Sequence, residues 1–459
     1  MSDAADKPVS LEKYGIEHIP DEERHGSAGR VFTLWFAANL TVADYVIGVL
    51  SVLVFHLTVL QAVPVLIVGN LLGGIMVGLS AAMGPKLGFP QMFSSRSSFG
   101  RKGNYVVGGL NWISTIGWFS VNTILGTEAI QAMVPNFNFY VGATVLVGVQ
   151  VLIAVYGHDF IQLFEKAMSI VLGLLFLGIF VLTVPHLNQA VAFVPPGGSV
   201  GSAALSSLGV VLAVSFSYIM SWSPYASDYS RYLPASTSKR KIATYALVGG
   251  ALASFAVETI GAIIGSLTLN SRDFFGALND FAGTLGPLAL IAIVLGAMAA
   301  NALNIYTNSL SALVLDVRVK RWITVVAGGS IGLALSILGG TNFETFYESF
   351  LLILDYWIMP WLAIVLIDFF VVKRTTVESL SRTKSFDWTT LGIYFVAILL
   401  SIPFMVLPTY TGPVVGALSG WFGGADFSYF ISFLAAGLVY YLFRERTSRN
   451  QSLARPRSR

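Results

Sequence analysis

Twelve long apolar runs follow one another along this chain, and they limit the folds that are open to it. A transmembrane helix needs about 20 apolar residues to cross the roughly 30 Å hydrocarbon core of a bilayer. The runs begin near Val31, Val59, Tyr105, Phe139, Phe160, Ala204, Ile242, Leu285, Trp322, Phe346, Leu391 and Val414. Only 11% of the 459 residues are charged, whereas soluble domains have about 25%. The sequence therefore predicts an all-α polytopic membrane protein with twelve transmembrane helices.

The basic residues fall on one side of this predicted topology. If the chain starts inside the cell, 25 of the 27 Lys and Arg residues lie in the tails and loops on the inner side. Lys166 lies at the inner start of the fifth run, and Arg272 lies on the outer side. Residues 1–30 are polar and lack the apolar core of a signal peptide. By the positive-inside rule, we expect a multi-pass protein of the plasma (inner) membrane with both termini in the cytoplasm.

The sequence lacks the residues that several classes of protein need for their function. There is no cysteine, so thiolate chemistry and cysteine-based metal sites are excluded. The five histidines lie in tails, loops or the ends of runs: His18, His25, His56, His158 and His186. We find no HExxH motif, no phosphate-binding loop and no repeated pore motif of the kind that a channel would show. We therefore expect neither an enzyme nor a cofactor or metal, and no nucleic-acid partner.

The third run carries an unusual polar motif at membrane depth. Trp118 and Asn122 are four residues apart, so they lie on one face of the helix. An unpaired amide costs several kcal/mol in hydrocarbon, so this face must contact protein or a water-filled cavity. A planar ligand could stack on the indole and bond to the amide. The alternative is that Asn122 bonds to another helix and Trp118 only packs.

The sixth and eighth runs carry further polar features. Pro224 removes a backbone donor near the inner end of the sixth run, which indicates a broken helix or a simple kink. This segment would face Asn39 on the first run. Asn301 and Asn304 are three residues apart on the eighth run, so they share a helical face. The third and eighth runs occupy corresponding positions in a carrier that is built from two inverted five-helix halves. Such carriers bind their substrate at mid-membrane, so polar motifs on these two runs are typical of them.

These features predict a division of the chain. The predicted segments are an N-terminal cytoplasmic tail (1–30), a first repeat (31–184), a second repeat (204–372), two peripheral spans (390–443) and a basic cytoplasmic tail (444–459).

A few acidic residues lie inside the predicted spans. Asp44, Glu258 and Asp355 are candidates for proton or cation coupling, because intramembrane acids usually face a cavity or a partner. Each could instead be a structural, hydrogen-bonded acid. Glu165 could pair locally with Lys166 on the fifth span.

Four stretches, taken together and in this order, resemble nucleobase–cation symporter family one, and in particular its purine–cytosine permease branch. The stretches are Trp35 to Leu40, Phe99 to Asn104, Gly117 to Asn122 and Ala226 to Tyr232. The resemblance implies a LeuT-like fold, with a ten-helix inverted-repeat core and two peripheral helices. It also implies that Trp118 stacks on the substrate ring and that Asn122 hydrogen-bonds to it. Further contacts are expected from Asn39, Ser217, Tyr218, Ile219, Asn301 and Asn304.

The coupling ion is a separate question. Sodium-coupled members of this family have hydroxyl residues on span eight, where this chain has Ala299 and Ala300. We therefore favour proton coupling, with Asp44 as the first candidate and Glu258 as the second, and Na⁺ stays possible. The predicted function is import of a nucleobase, such as cytosine or a purine, by a monomer in the lipid bilayer. The alternatives are a Na⁺-coupled permease for allantoin, hydantoin, thiamine or pyridoxine, a sensor that does not transport, or a channel.

Overall fold

The computed structural model describes residues 14–198, 202–268, 274–317, 319–339, 343–407 and 413–454, and helices account for most of them. The main helices are α1 (Gly29–Ala38), α2 (Val42–Leu53), α3 (Val59–Ala81), α4 (Asn104–Met133), α5 (Phe139–Tyr156), α6 (His158–Thr183), α7 (Ser202–Met220), α8 (Ala226–Ser230), α9 (Lys239–Leu267), α10 (Gly286–Val314), α11 (Arg321–Leu338), α12 (Phe343–Leu366), α13 (Trp388–Ser401) and α14 (Ser428–Ala454). The ends of both predicted tails, 1–13 and 455–459, lie outside the described residues, as do Arg272 and Arg318.

Each of the twelve predicted runs overlaps a main helix. Within the described residues, eight segments are individually long and apolar enough to cross a membrane, and α1 with α2 forms a ninth if the bent pair is one span. The remaining three runs coincide with α4, α13 and α14. The helix of the last predicted run, α14, begins at Ser428 rather than near Val414. Gly416, Gly423 and Gly424 adopt left-handed backbone conformations, which interrupt a helix. The boundaries of the two repeats stay a prediction.

The first span is broken between α1 and α2, which meet at an angle of 55°. Side chains at the break bond to the backbone groups that the two helix ends leave free. The Asn39 amide nitrogen donates to the carbonyl of Trp35 at 2.7 Å, and the Thr41 hydroxyl accepts from the backbone N–H of Asp44 at 3.4 Å. These bonds supply partners to backbone groups that the break leaves free at membrane depth.

The sixth span is interrupted where Pro224 predicted it. Helix α7 ends at Met220, a short 3-10 turn follows at Ser223–Tyr225, and α8 then continues the span without a bend above 40°. The indole nitrogen of Trp222 donates to the side-chain oxygen of Asn39 at 3.0 Å. The two interrupted spans are therefore joined at their breaks.

Glycines allow the central helices to approach until their backbones touch. A Cβ atom on Gly48 of α2 would collide with the carbonyl of Glu258 on α9, and one on Gly261 of α9 would collide with the carbonyl of Tyr45 on α2. The predicted small-residue spacing on α3 has the same role, since Gly73 lies against the carbonyl of Phe216. This contact between α2 and α9 holds Asp44 and Glu258 at neighbouring turns.

Replacing Gly261 by valine is expected to destabilise the protein by forcing α2 and α9 apart. Overpacking of this kind typically costs about 1–3 kcal/mol, so the thermal unfolding midpoint of the purified protein should fall by several degrees. The matched control is Gly148→Val on α5, where an added Cβ would have no atom within 4 Å. Equal midpoints for the two variants would show that the close approach of α2 and α9 is not needed.

The basic loops are joined by hydrogen bonds and ion pairs on the side of the membrane that we call the basic side. The loop between α3 and α4 folds into short helices, and Arg96 donates to the carbonyl of Val314 at 2.7 Å. Asp316, just after α10, accepts from Arg101 at 2.9 Å and from the hydroxyl of Tyr105. Burial acts to raise the pKa of Asp316, but the hydrogen bonds from Arg101 and Tyr105 hold it below its usual range. This loop therefore does more than set the topology.

Candidate functional site

Trp118 lies at the centre of a group of aromatic side chains from three helices. Its indole ring is 4% exposed. The rings of Phe350, Tyr218 and Tyr347 meet it edge-on, with centroid distances of 5.2, 5.4 and 6.2 Å. A Cβ atom on Gly117 would lie 2.6 Å from the Phe350 ring, so only glycine at this position lets that ring reach α4. The local motif thus brings together an aromatic cluster from α4, α7 and α12.

The three predicted amides form one network beside this cluster. Asn122 on α4 and Asn304 on α10 both donate through their amide nitrogens to the side-chain oxygen of Asn301, each at 3.2 Å. Asn301 in turn donates to the carbonyl of Phe119 at 2.9 Å and to the side-chain oxygen of Gln150 on α5 at 3.2 Å. Asn301 therefore bridges α10 to α4 and α5, and its direct contact with the substrate stays a prediction.

This network determines how the two outer amides are oriented. A backbone carbonyl only accepts hydrogen bonds, so the group that Asn301 turns toward Phe119 must be its NH₂. Its oxygen then faces the other two amides, and they must present their nitrogens to it. As a result, the side-chain oxygens of Asn122 and Asn304 are buried, and no donor among the described residues reaches them.

The side-chain amides of Asn122 and Asn304 each keep one acceptor and one donor that Asn301 does not use. Each edge has an acceptor oxygen with no partner, and each NH₂ group has a second hydrogen beyond the one given to Asn301. An acceptor beside a donor matches an amino group next to a ring nitrogen, the pattern that amide side chains read on adenine. Leaving both oxygens unpaired costs about 1–3 kcal/mol each. The arrangement is suited to a planar heterocycle that supplies the missing donors.

Asp44 is connected to the aromatic group by a short chain of hydroxyls. The Tyr218 hydroxyl lies 2.7 Å from the Thr41 hydroxyl, which donates to the carboxylate of Asp44 at 3.1 Å. Tyr218 also contacts the Trp118 ring. A change in the position of Trp118 or Tyr218 can therefore be passed to the Asp44 carboxyl through the break in the first span.

Glu258 on α9 lies behind this chain. Its carboxyl oxygen accepts from the amide nitrogen of Asn70 on α3 and from the hydroxyl of Ser215 on α7 at 3.1 Å. The side chain is 0% exposed. Glu258 thus joins three helices around its carboxyl group, and its backbone contacts the same helix that carries Asp44.

The other predicted residues bond to or pack against partners of their own. Asn39 bonds to Trp35 and Trp222 at the break of the first span. Ile219 packs between Gly73 of α3 and Gly250 of α9. The Ser217 hydroxyl donates to the carbonyl of Leu351 on α12 at 2.6 Å, one turn before Asp355. Direct substrate contact by Asn39, Ser217 or Ile219, and a coupling role for Asp355, stay predictions.

Some residues of the site were not identified from the sequence. Gln150 is the lone amide of an otherwise apolar span, and this signal could have been used to find it. Thr41, Tyr347 and Phe350 gave no such signal, because hydroxyl and aromatic residues are frequent in these spans. The local pair of Glu165 with Lys166 does not form, since Glu165 turns inward and Lys166 lies on the exposed face of α6.

The chain matches a family model described as permeases for cytosine/purines, uracil, thiamine and allantoin over residues 18–432. It is 30% identical over 455 residues to YxlA of Bacillus subtilis (strain 168), whose name assigns it to the purine–cytosine permeases. The match covers 95% of this chain and 96% of YxlA. The purine–cytosine permease fcyB of Emericella nidulans is 28% identical, with 95% of this chain and 89% of fcyB covered.

Solved structures share the fold. Mhp1, a nucleobase-cation-symport-1 family transporter in a closed conformation with bromovinylhydantoin bound, superimposes with a TM-score of 0.79 over 96% of this chain and 97% of that one. The identity is 18%, so this likeness concerns the fold. The prediction of an all-α, LeuT-like fold is confirmed. The matches to the family model and to the curated relatives show that this chain is a membrane permease, not an enzyme, and that it belongs to nucleobase–cation symporter family one, on its purine–cytosine branch.

Proposed function

We propose that this permease imports a nucleobase that carries an amino group, such as cytosine or the purine adenine, by alternating access. The observation that carries the proposal is the pair of buried, unpartnered oxygens of Asn122 and Asn304 beside Trp118. The ring stacks on Trp118, which accepts many heterocycles, and the amide edges select the pattern of donors and acceptors. The relatives from Bacillus subtilis and Emericella nidulans, both named as purine–cytosine permeases, support this substrate class.

The permease acts as a monomer in the plasma membrane with both termini in the cytoplasm. The positive-inside rule supports this orientation, because 25 of the 27 Lys and Arg residues lie in the tails and loops of one side of the predicted topology. That side then faces the cytoplasm, and the opposite side receives the substrate.

The driving ion in this proposal is the proton. Asp44 is the first candidate for the coupling acid, because the hydroxyls of Thr41 and Tyr218 connect it to the substrate-stacking side chain. Glu258 is the second candidate. Ala299 and Ala300 offer no side-chain oxygen for a sodium ion on α10, and Na⁺ prefers several oxygen ligands. Uptake that continues when choline replaces Na⁺, and that a protonophore abolishes, is the expected result.

Adenine is expected to bind at least about tenfold more tightly than unsubstituted purine. Purine lacks only the amino group, so the amide oxygen that it leaves unpaired costs about 1–3 kcal/mol, which corresponds to a tenfold to hundredfold loss of affinity. Cytosine should exceed uracil in the same way. Thermal-shift and equilibrium-binding titrations of the purified protein measure both ratios. Equal affinities within each pair would contradict the proposed contact between the amides and the amino group. If the protein bound allantoin or a vitamin but no nucleobase, the proposed substrate class would be wrong.

A further inference from the structure

A fully buried carboxyl group on α6, that of Glu165, takes no part in the site described above. Its side chain is 0% exposed, and no hydrogen-bond donor among the described residues reaches either carboxyl oxygen. Asp44 and Glu258, in contrast, each accept from neighbouring side chains. A carboxylate ion without donors or a cation costs several kcal/mol inside a membrane protein. In this conformation Glu165 is therefore held in its neutral, protonated form.

The face of α6 that carries Glu165 leads to a cavity on the basic side. His158, Gln162 and Glu165 follow one another at spacings of four and three residues, so they lie on one helical face. His158 and Gln162 line the cavity, together with Arg30 and Trp35 from the first span. Glu165 lies about one helical turn, roughly 5 Å, deeper than Gln162. About one turn of α6 therefore separates this carboxyl group from the cavity.

The cavity lies at the junction of α1 and α6. Its remaining lining residues come from the N-terminal segment, from α1 and from the segment around α8: His25, Val31, Leu34, Tyr229, Ser230, Tyr232 and Leu233. The Tyr232 ring stacks on His158 with a centroid distance of 3.9 Å. His25 reaches the carboxylate of Asp159 at 3.3 Å, and this hydrogen bond raises the pKa of His25. Side-chain contacts between separate segments therefore close this route in the present conformation.

The helices packed against α6 supply no fixed counter-charge for Glu165. Those helices are α1, α5, α9 and α10. Their titratable residues are Arg30 on α1, Tyr140 and Tyr156 on α5, Lys239, Arg240, Lys241, Tyr245 and Glu258 on α9, and Tyr306 on α10. Arg30 is exposed at the cavity mouth, and Glu258 bonds to Asn70 and Ser215. On α8, Tyr229 is near enough to Glu165 for electrostatic interaction, but its hydroxyl donates to the carbonyl of Leu303 at 2.8 Å. The buried cation of Arg231, just after α8, interacts with His158 and donates to the carbonyl of Gly15 at 2.8 Å.

We propose that Glu165 is a proton-binding site of the transport cycle, from which the proton leaves to the basic side. The proposal rests on the proton coupling proposed above and adds a second acid to it. When α1 separates from α6, water in the cavity reaches the carboxyl group, its O–H bond breaks and the proton passes to that water. For net transport the carboxylate takes up its next proton from the opposite side, in the conformation that is open there. Each cycle then carries a proton from that side to the basic side.

Glu165→Gln is expected to uncouple transport from the proton gradient without preventing it. The amide has the size and neutrality of the protonated acid but cannot release a proton. In proteoliposomes with a gradient of one pH unit, the unchanged protein should accumulate labelled adenine up to about tenfold if one proton moves per base, since one pH unit corresponds to a tenfold concentration ratio. The Gln variant should reach a ratio of about one, with exchange of labelled for unlabelled adenine at the unchanged rate. Glu165→Asp, which keeps a titratable carboxyl, should restore accumulation.

The outcomes separate this proposal from the proposed function. Accumulation by the Gln variant that equals that of the unchanged protein would overturn the role of Glu165 and leave proton coupling intact. Loss of adenine exchange in the Gln variant would also overturn it, because the residue would then be needed for structure rather than for the proton. An unchanged protein that exchanges adenine but does not accumulate it would overturn proton coupling itself, and this role with it.

Discussion

Replacing Trp118 by alanine is expected to abolish nucleobase binding while the protein still folds. Stacking of a base on an aromatic side chain contributes about 1–3 kcal/mol, and the substitution also removes the surface that Phe350, Tyr218 and Tyr347 surround. The lost stacking alone should lower the affinity by about fivefold to 140-fold, and the loss of the ordered surface should lower it further. Equilibrium binding of labelled adenine to the purified variant measures the loss, and Trp118→Phe should retain part of the affinity because a flat ring remains.

The matched control for this variant is Trp421→Ala. Trp421 is 77% exposed and lies between α13 and α14, away from the described site. Its removal should leave adenine affinity unchanged. If Trp118→Ala binds adenine as tightly as the control does, then Trp118 only packs against its neighbours, and the position of the proposed substrate site is wrong.

Replacing Asn122 by leucine is expected to weaken adenine binding by about tenfold to a hundredfold and to remove the preference for adenine over purine. Leucine has a similar volume but cannot accept the hydrogen bond of the amino group, which then loses its partner at a cost of about 1–3 kcal/mol. Purine has no amino group to lose, so its affinity should change less. Titration of both ligands against both proteins forms a double-mutant cycle that isolates this one contact.

Asn111→Leu is the control for general loosening of the bundle. Asn111 is also buried on α4 and also bonds to α10, where it donates to the hydroxyl of Ser311 at 2.8 Å. It lies three turns closer to the basic side than Asn122. An adenine preference that falls equally in the Asn111 and Asn122 variants would show that helix packing, rather than a ligand contact, explains the effect.

Much of the fold could be predicted because the membrane imposes strong and simple constraints on sequence. The long apolar runs indicated the spans directly, and the placement of the basic residues on one side indicated their orientation. The motif at Trp118 and Asn122 stood out because amides are costly at membrane depth. The start of the last helix could not be predicted as well, since residues from Val414 onward are apolar enough for a span although glycines at Gly416, Gly423 and Gly424 turn the backbone.

The roles within the site depended on contacts between distant residues. Spacing placed Asn301 and Asn304 on one face, but it could not show that Asn301 turns toward Phe119 and Gln150. Glu165 stands next to Lys166 in the sequence, which favoured a local ion pair. In the structure its side chain faces the interior. Such orientations follow from the packing of α4, α5, α6 and α10, which no local pattern encodes.

The most direct measurement of the proposed function is uptake into proteoliposomes that contain only this protein, in sodium-free buffer with the outer medium more acidic. We expect labelled adenine or cytosine to accumulate inside above its outer concentration, and we expect a protonophore to abolish the accumulation. The Trp118→Ala variant should show none. Failure of every nucleobase to accumulate, or accumulation that requires a sodium gradient and ignores the pH gradient, would contradict the proposal of a proton-coupled nucleobase importer.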